Sequence, residues 1–363
     1  MISPLLILAA ALCADPPLIQ PPPINVEALT KRLLDMTKPS PGERVLMLYD
    51  PTYYPEITYR LEAELLKRGL FVAKFSEVGR PGLEWLDKLD REKQLAQEDA
   101  AVRLQGPMFK QADIFYWMPL RDYTDDMRYE RLLRDSKARS VHFHWMLPFP
   151  GNRNAEQIEA DTRRTERAAL EVDFIRLHAF QEKLAEAMRG KEVQITSPNG
   201  TSLRVWVPRD QWFHFGDGDA SLEKARRARS TRDREIELGP GIFAFVPVGT
   251  RVEGVLKEPR VRQAEGVRME LQRGRMVKLE AEKGLKELQD RFKIQGPDGD
   301  VIGVVSFGTN PFRDPNLSIR LGENWEMGGK NRASRGTWVN VDRATVKVGD
   351  RVLMQDGKFV VQY

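Results

Sequence analysis

Apolar runs of strand length alternate with helix-like stretches through the first 150 residues, and this alternation limits the fold more than any other feature. Val26 to Met36 has helical periodicity, with Leu29, Leu33 and Leu34 on one side. A turn at Pro39, Pro41 and Gly42 follows. Arg44 to Tyr49 is then almost wholly apolar, the pattern of a parallel strand buried on both faces. Next come a helix ending at Gly69, placed for a left-handed cap, and a second strand. "ADIFYWMP" and "SVHFHWMLPFP" are two more apolar strands with helical sequence before each. Such alternation predicts an open α/β domain over 25–150.

The pattern then changes. Residues 151–189 are rich in Glu, Arg and Ala and predict a helical connector. From 190 the signals are β: "VQITSPNGTSLRVWV" is two strands around Asn199-Gly200, and further Asp-Gly turns follow. The second domain, 190–363, is therefore expected to be β-rich α+β. With 363 residues the chain is long enough for two cores.

Composition excludes several classes. Hydrophobic content is 41% and charged content 30%, which argues against disorder. One cysteine and four histidines rule out a disulfide framework and a cysteine-rich metal site. A net charge of +4 is too small to imply nucleic acid. Positive charge gathers in "EKARRARSTRDR", 223–234, which fits either a solvated segment or a surface for an acidic partner. No aromatic residues are interleaved there, so single-stranded nucleic acid is not expected.

The N-terminus, "MISPLLILAAALCADPP", resembles a secretory signal over 1–14, cleaved near Ala14, with a proline-rich leader over 15–24. Its apolar run is too short to span a membrane, and no transmembrane segment is expected. A misassigned start or a buried N-terminal segment is the alternative. Export places the chain in the periplasm or outside the cell.

Several groups can carry chemistry. His142 and His144 alternate on one strand and so share a face, fitting either two metal ligands or two ring side chains near a strand end. His178 and His214 read as structural. "GDGDAS", 216–221, lacks the spaced oxygens of a calcium loop and reads as a polar turn. The run Val301 to Val305 enters a glycine-spaced loop closed by Asn310-Pro311, the form of an active-site loop, yet it carries no acid, base or nucleophile.

Read together, "PSPGERVLMLY", "SPNGTSLRVWVPRDQW", "GPGIFAFVPVGTRVEG", "IGVVSFGTNP", "NLSIRLG" and "GGKNRASRGTWV" resemble, in order and spacing, motifs of the thermophilic metalloaminopeptidases, the group of aminopeptidases T and S. The resemblance implies an aminopeptidase T-like fold, a homodimer, and two divalent metals such as zinc or cobalt in the C-terminal domain. Laid residue by residue on this chain, the family's two glutamates, two histidines and aspartate fall on Ile242, Val304, Ser318, Thr337 and Val339. Those five are expected to converge in space. None supplies a charge or an imidazole, and a dinuclear site needs anionic oxygens against about four positive charges. The expectation is an exported, aminopeptidase-like protein without a catalytic site or cofactor, binding peptide or protein. The alternative is a metal-dependent aminopeptidase whose ligands are misaligned, or whose site is relocated to His142, His144, Glu323 and Glu326.

Overall fold

The computed structural model describes residues 21–76, 91–118, 127–143 and 154–363. The expected signal 1–14, most of the leader and His144 lie outside the described residues. Among the described residues no helix is long and apolar enough to cross a membrane.

The first sheet forms as the alternation requires. Helix α1 (Val26–Thr37) starts at Asn25, whose side chain accepts the Ala28 N–H at 3.0 Å. Strand β1 (Arg44–Tyr49) follows, then α2 (Pro55–Lys67) and β2 (Phe71–Ser76). Gly69, at φ +78°, takes the left-handed turn after α2. Helix α3 (Arg91–Gln111) precedes β3 (Ile114–Trp117), and α4 (Arg128–Arg134) precedes β4 (Arg139–His142). The strands are parallel. Val45 and Met47 pack with Leu33, Ile57 and Leu61, while Leu46 and Leu48 pack with Phe109, Leu132 and Leu133. Burial on both faces explains why β1 reads as an unbroken apolar run.

The boundary expected at 190 does not hold for this sheet. Its order is β2-β1-β3-β4-β8, and β8 is Glu235–Glu237, far down the chain. Strand β8 pairs in parallel with β4, Ser140 opposite Glu235 and His142 opposite Glu237. The connector is two helices, α5 (Ala155–Leu170) and α6 (Phe174–Met188), and each joins a core. Ala169 of α5 belongs to the first core, while Phe180, Leu184 and Met188 of α6 belong to the second.

Two antiparallel sheets enclose the second core. One has eight strands: β12 (Arg275–Glu280), β11 (Ala264–Gln272), β10 (Val252–Val261), β6 (Ser202–Val207), β5 (Lys191–Thr196), β16 (Thr345–Val348), β17 (Arg351–Gln355) and β18 (Lys358–Phe359). The expected hairpin is β5–β6, in register from Thr196–Ser202 to Lys191–Val207. The other sheet runs β15 (Gly336–Asn340), β14 (Leu317–Gly322), β13 (Ile302–Gly308), β9 (Ile242–Phe245) and β7 (His214–Phe215). Phe243, Val305, Phe307, Ile319 and Leu321 of this sheet meet Val193, Val205, Leu256 and Met269 of the larger one. Helix α7 (Leu222–Arg227) and α8 (Leu285–Ile294) complete the elements used below.

"GDGDAS" forms a polar turn that ties α6 to α7. Asp217 accepts from His178 Nδ1 at 2.8 Å, Lys224 Nζ at 2.5 Å and the Asp219 N–H at 3.1 Å. Burial alone would raise its pKa, but His178 and Lys224 outweigh that and hold it down to about 2. A carboxyl depressed from its unfolded value near 3.9 stabilises the fold above that pH and loses the contribution as pH falls toward 2. Asp217→Asn is therefore expected to cost about 2–3 kcal/mol at pH 7. Urea unfolding of both proteins from pH 7 to pH 2 should show the difference shrinking as the wild-type carboxyl protonates. A pH-independent difference would contradict the ion-pair account.

Candidate functional site

The loop that looked like an active site is a structural clamp. Gly303 sits at an irregularity between Ile302 and Val304, where β13 shifts register against β14. Beyond the strand, Thr309 Oγ1 donates to the Gly241 carbonyl at 2.7 Å and accepts from Gln181 Nε2 at 2.9 Å. Asn310 Nδ2 donates to the carbonyls of Pro240 at 2.6 Å and Ala168 at 3.0 Å. Gly241, at φ +145°, must be glycine, because a Cβ there would lie 2.6 Å from Asn310. The polar residues of "FGTNP" thus hold β9 and β13 to α5 and α6.

All five aligned positions fall on the smaller antiparallel sheet, but on two faces. Directly paired residues in an antiparallel sheet share a face. Ser318 pairs with Ser306 and Asn340, Val304 with Arg320, Arg320 with Trp338, and Ile242 with Gly308. Ile242, Val304 and Ser318 therefore lie on the face turned away from the second core. Thr337 pairs with Leu321 and Val339 with Ile319, on the core face. Val339 belongs to the core itself, and Thr337 Oγ1 accepts from Arg291 Nε at 3.0 Å and Gln295 Nε2 at 2.5 Å. The expected convergence of all five is corrected for these two. The outward residues of β15 are Trp338 and Asn340. Because side chains alternate along a strand, Thr337 and Val339 share one face of β15 and Trp338 and Asn340 the other.

The outward face carries a charge that the motif reading did not single out. Arg320 stands two residues after Ser318 on β14 and is 7% exposed. Its guanidinium bonds Glu326 Oε2 at 3.1 Å and is also paired with Glu323. Trp338 lies against it, 5.2 Å from ring centre to Cζ. Glu323 is fully buried and accepts the Glu326 N–H at 3.1 Å. Ser318 Oγ donates to Asn340 Oδ1 at 2.7 Å. The signal for Arg320 was a lone cation in the apolar "NLSIRLG", in phase with Ser318.

His142 lies elsewhere, at the C-terminal end of β4. Its Nδ1 is 2.5 Å from Glu235 Oε1 and its Nε2 3.3 Å from Glu237 Oε1. Arg232 bonds the same two carboxylates, each at 3.0 Å. Burial opposes charge on His142, but the two glutamates outweigh it and raise its pKa. The described relocated-site residues thus belong to two clusters with separate arginines: His142 with Arg232, and Glu323 and Glu326 with Arg320. Among the described residues no group of three or more His, Cys, Asp or Glu is arranged to hold a metal ion.

Much of the basic segment is spent internally. Lys224 bonds Asp217, Arg232 bonds Glu235 and Glu237, and Arg234 donates to the carbonyls of Leu133 and Ala138. Arg229 lies over the Trp212 ring at 4.2 Å. Asp233, among these arginines, faces the buried His214. The two border a cavity of about 160 Å³.

No family model and no curated protein sequence matches the chain. Among solved structures it is similar to 2,5-dihydroxypyridine dioxygenase from Pseudomonas putida KT2440, with a TM-score of 0.58 and 13% identity over 94% of this chain and 99% of that one. It is also similar to wild-type AmpT, an aminopeptidase T, from Thermus thermophilus, with a TM-score of 0.57 and 17% identity over 92% of this chain and 99% of that one. The chain is thus a distant structural relative of aminopeptidase T, with a mixed α/β fold of parallel and antiparallel sheets that this protein and a dioxygenase also share.

Proposed function

We propose that this chain is an exported, non-catalytic relative of the metalloaminopeptidases that binds a peptide or protein, the metal ligands of the family having been lost. The observation that carries the reading is Arg320. On the face where Val304 and Ser318 lie, an enclosed guanidinium is paired with two glutamates. A metal ion brought there would meet that cation and carboxylates already engaged by it. A shift of register does not restore the ligands. The neighbours of Ile242, Val304 and Ser318 are Gly241, Phe243, Gly303, Val305, Leu317 and Ile319, and the outward residues of β15 are Trp338 and Asn340. None is an acid or a histidine. The export and homodimer parts rest on the N-terminal sequence and on the family resemblance, respectively. A binding role draws support from a groove of about 620 Å³ between β12 and α8, where the eight-stranded sheet ends.

Three outcomes are expected. Zinc, cobalt or manganese should neither raise the melting temperature nor confer cleavage of aminoacyl substrates. Binding at 100 times the dissociation constant would add about 2.7 kcal/mol and be seen in the melt. Melting that falls with chelator, together with metal-dependent turnover, would establish the peptidase reading instead. Second, Arg320→Met leaves two buried carboxylates without their cation and should cost about 3–5 kcal/mol in urea unfolding. Adding Glu323→Gln and Glu326→Gln should recover part of that loss, whereas an unchanged midpoint in Arg320→Met would contradict the pairing. Third, N-terminal sequencing of the protein from its native host should begin near Asp15, and an intact Met1 in the cytoplasm would refute export.

A further inference from the structure

Two buried groups that this reading leaves unused are His214 and Asp233. His214 is on β7, opposite Ala244 of β9, and is 3% exposed. Its ring lines the 160 Å³ cavity together with Trp212, Ser230, Phe245 and Met327. Nδ1 is the buried ring nitrogen; it lies 3.4 Å from Asp233 Oδ1, an ion-pair contact and not a formed hydrogen bond, while Nε2 is not among the buried unbonded atoms. Asp233 is itself held in place. Its Oδ2 accepts from Trp212 Nε1 at 2.9 Å and from the backbone N–H groups of Arg229 and Ser230, each at 3.0 Å.

This arrangement has a defined protonation state. Burial lowers the pKa of His214, Arg232 and Lys224 lower it further, and Asp233 only partly offsets them. Burial acts to raise Asp233, but His214, the Arg229 N–H and the Ser230 hydroxyl outweigh it and hold its pKa below the usual carboxylate value. At neutral pH the imidazole is therefore uncharged. Of the two neutral tautomers, the one with its proton on Nδ1, the nitrogen nearer the carboxylate, is electrostatically favoured, and it leaves the lone pair on Nε2. A cavity near 150 Å³ holds a benzene-sized group, so this one takes an acyl chain of a few carbons.

We propose that the chain is non-catalytic only in the family's metal-dependent sense, and that His214, beside Asp233, is the general base of a separate, metal-independent site that hydrolyses small activated esters. A water in the cavity gives a proton to Nε2 as its oxygen bonds to the ester carbonyl carbon. The bond from that carbon to the alkoxy oxygen then breaks, and the proton on Nε2 passes to the leaving oxygen. Ser230 Oγ accepts the Asp233 N–H at 3.3 Å and its hydroxyl is bonded to the Asp233 carboxylate, so it helps to fix that carboxylate beside the imidazole. A weakly basic imidazole suits a good leaving group better than an amide.

The probe is p-nitrophenyl acetate with the full chain. Hydrolysis should exceed the buffer rate, persist in chelator and fall about 100-fold in His214→Gln. Its pH profile should have an acid limb below pH 6.5, because protonation of His214 removes the base. Asp233→Asn should move that limb to still lower pH, since the carboxylate is what raises the imidazole's pKa. Equal rates in wild type and His214→Gln, or a limb at or above pH 6.5, would overturn the proposal. If His214→Gln does not fold, diethyl pyrocarbonate settles the question on the wild type. Peptide mapping should find His214 carbethoxylated at pH 7, and an unmodified His214 in folded protein would overturn it.

Discussion

The return of residues 229–238 to the first sheet is the constraint on which the rest of the molecule depends. Strand β8 is only three residues long, yet it closes the parallel sheet at β4. The turn before it, 232–234, faces both bodies. Arg234 reaches the Leu133 and Ala138 carbonyls in the first, and Asp233 reaches His214 and Trp212 at the edge of the smaller antiparallel sheet. Glu235 and Glu237 bracket His142 and are themselves bonded to Arg232. Buried charges of this kind persist only when each has its partner, so the segment specifies its own position. Further ties run alongside it: Arg335 of the loop before β15 bonds Glu98 on α3, and Asn310 bonds Ala168 of α5.

The outward face of the smaller sheet follows from the same rule. A dinuclear site is a patch of buried anionic oxygens that cations make tolerable. In this chain the cation is covalently part of the protein. Arg320 carries its charge into a site where Glu323 is fully buried and Glu326 nearly so, and Trp338 covers the guanidinium. Val304 and Ser318 then need to supply only packing and one hydrogen bond. Gly241 and Gly303 are required by close backbone approaches, whatever the face binds.

The sequence made some of this legible. Apolar runs identify β1, β3 and β4, because a strand covered on both faces cannot hide its composition. The β5–β6 hairpin is marked by Asn199-Gly200, with Gly200 at φ +99°. Strand β8 was not legible: "EIE" is short, polar and set among arginines, and its pairing partner lies almost 100 residues away. The expected convergence of five residues fails for Thr337 and Val339, which lie on the core face of the smaller sheet. Thr337 and Val339 were matched by residue type to a motif, whereas the alternation of Trp338 and Asn340 sets which side chains leave the core. Arg320 and Asp233 escaped notice for a shared reason. A single charge in a short motif is read as solvated until tertiary structure buries it.

The central claim is that an internal guanidinium stands where the family resemblance places a pair of metals. Its most direct test is a crystal structure grown or soaked with zinc or cobalt and measured at the metal's absorption edge. The account predicts no anomalous peak on the outward face of the smaller sheet, with Arg320 still bonded to Glu323 and Glu326. An ordered peak bound by Glu323 or Glu326, with the guanidinium displaced, would contradict it.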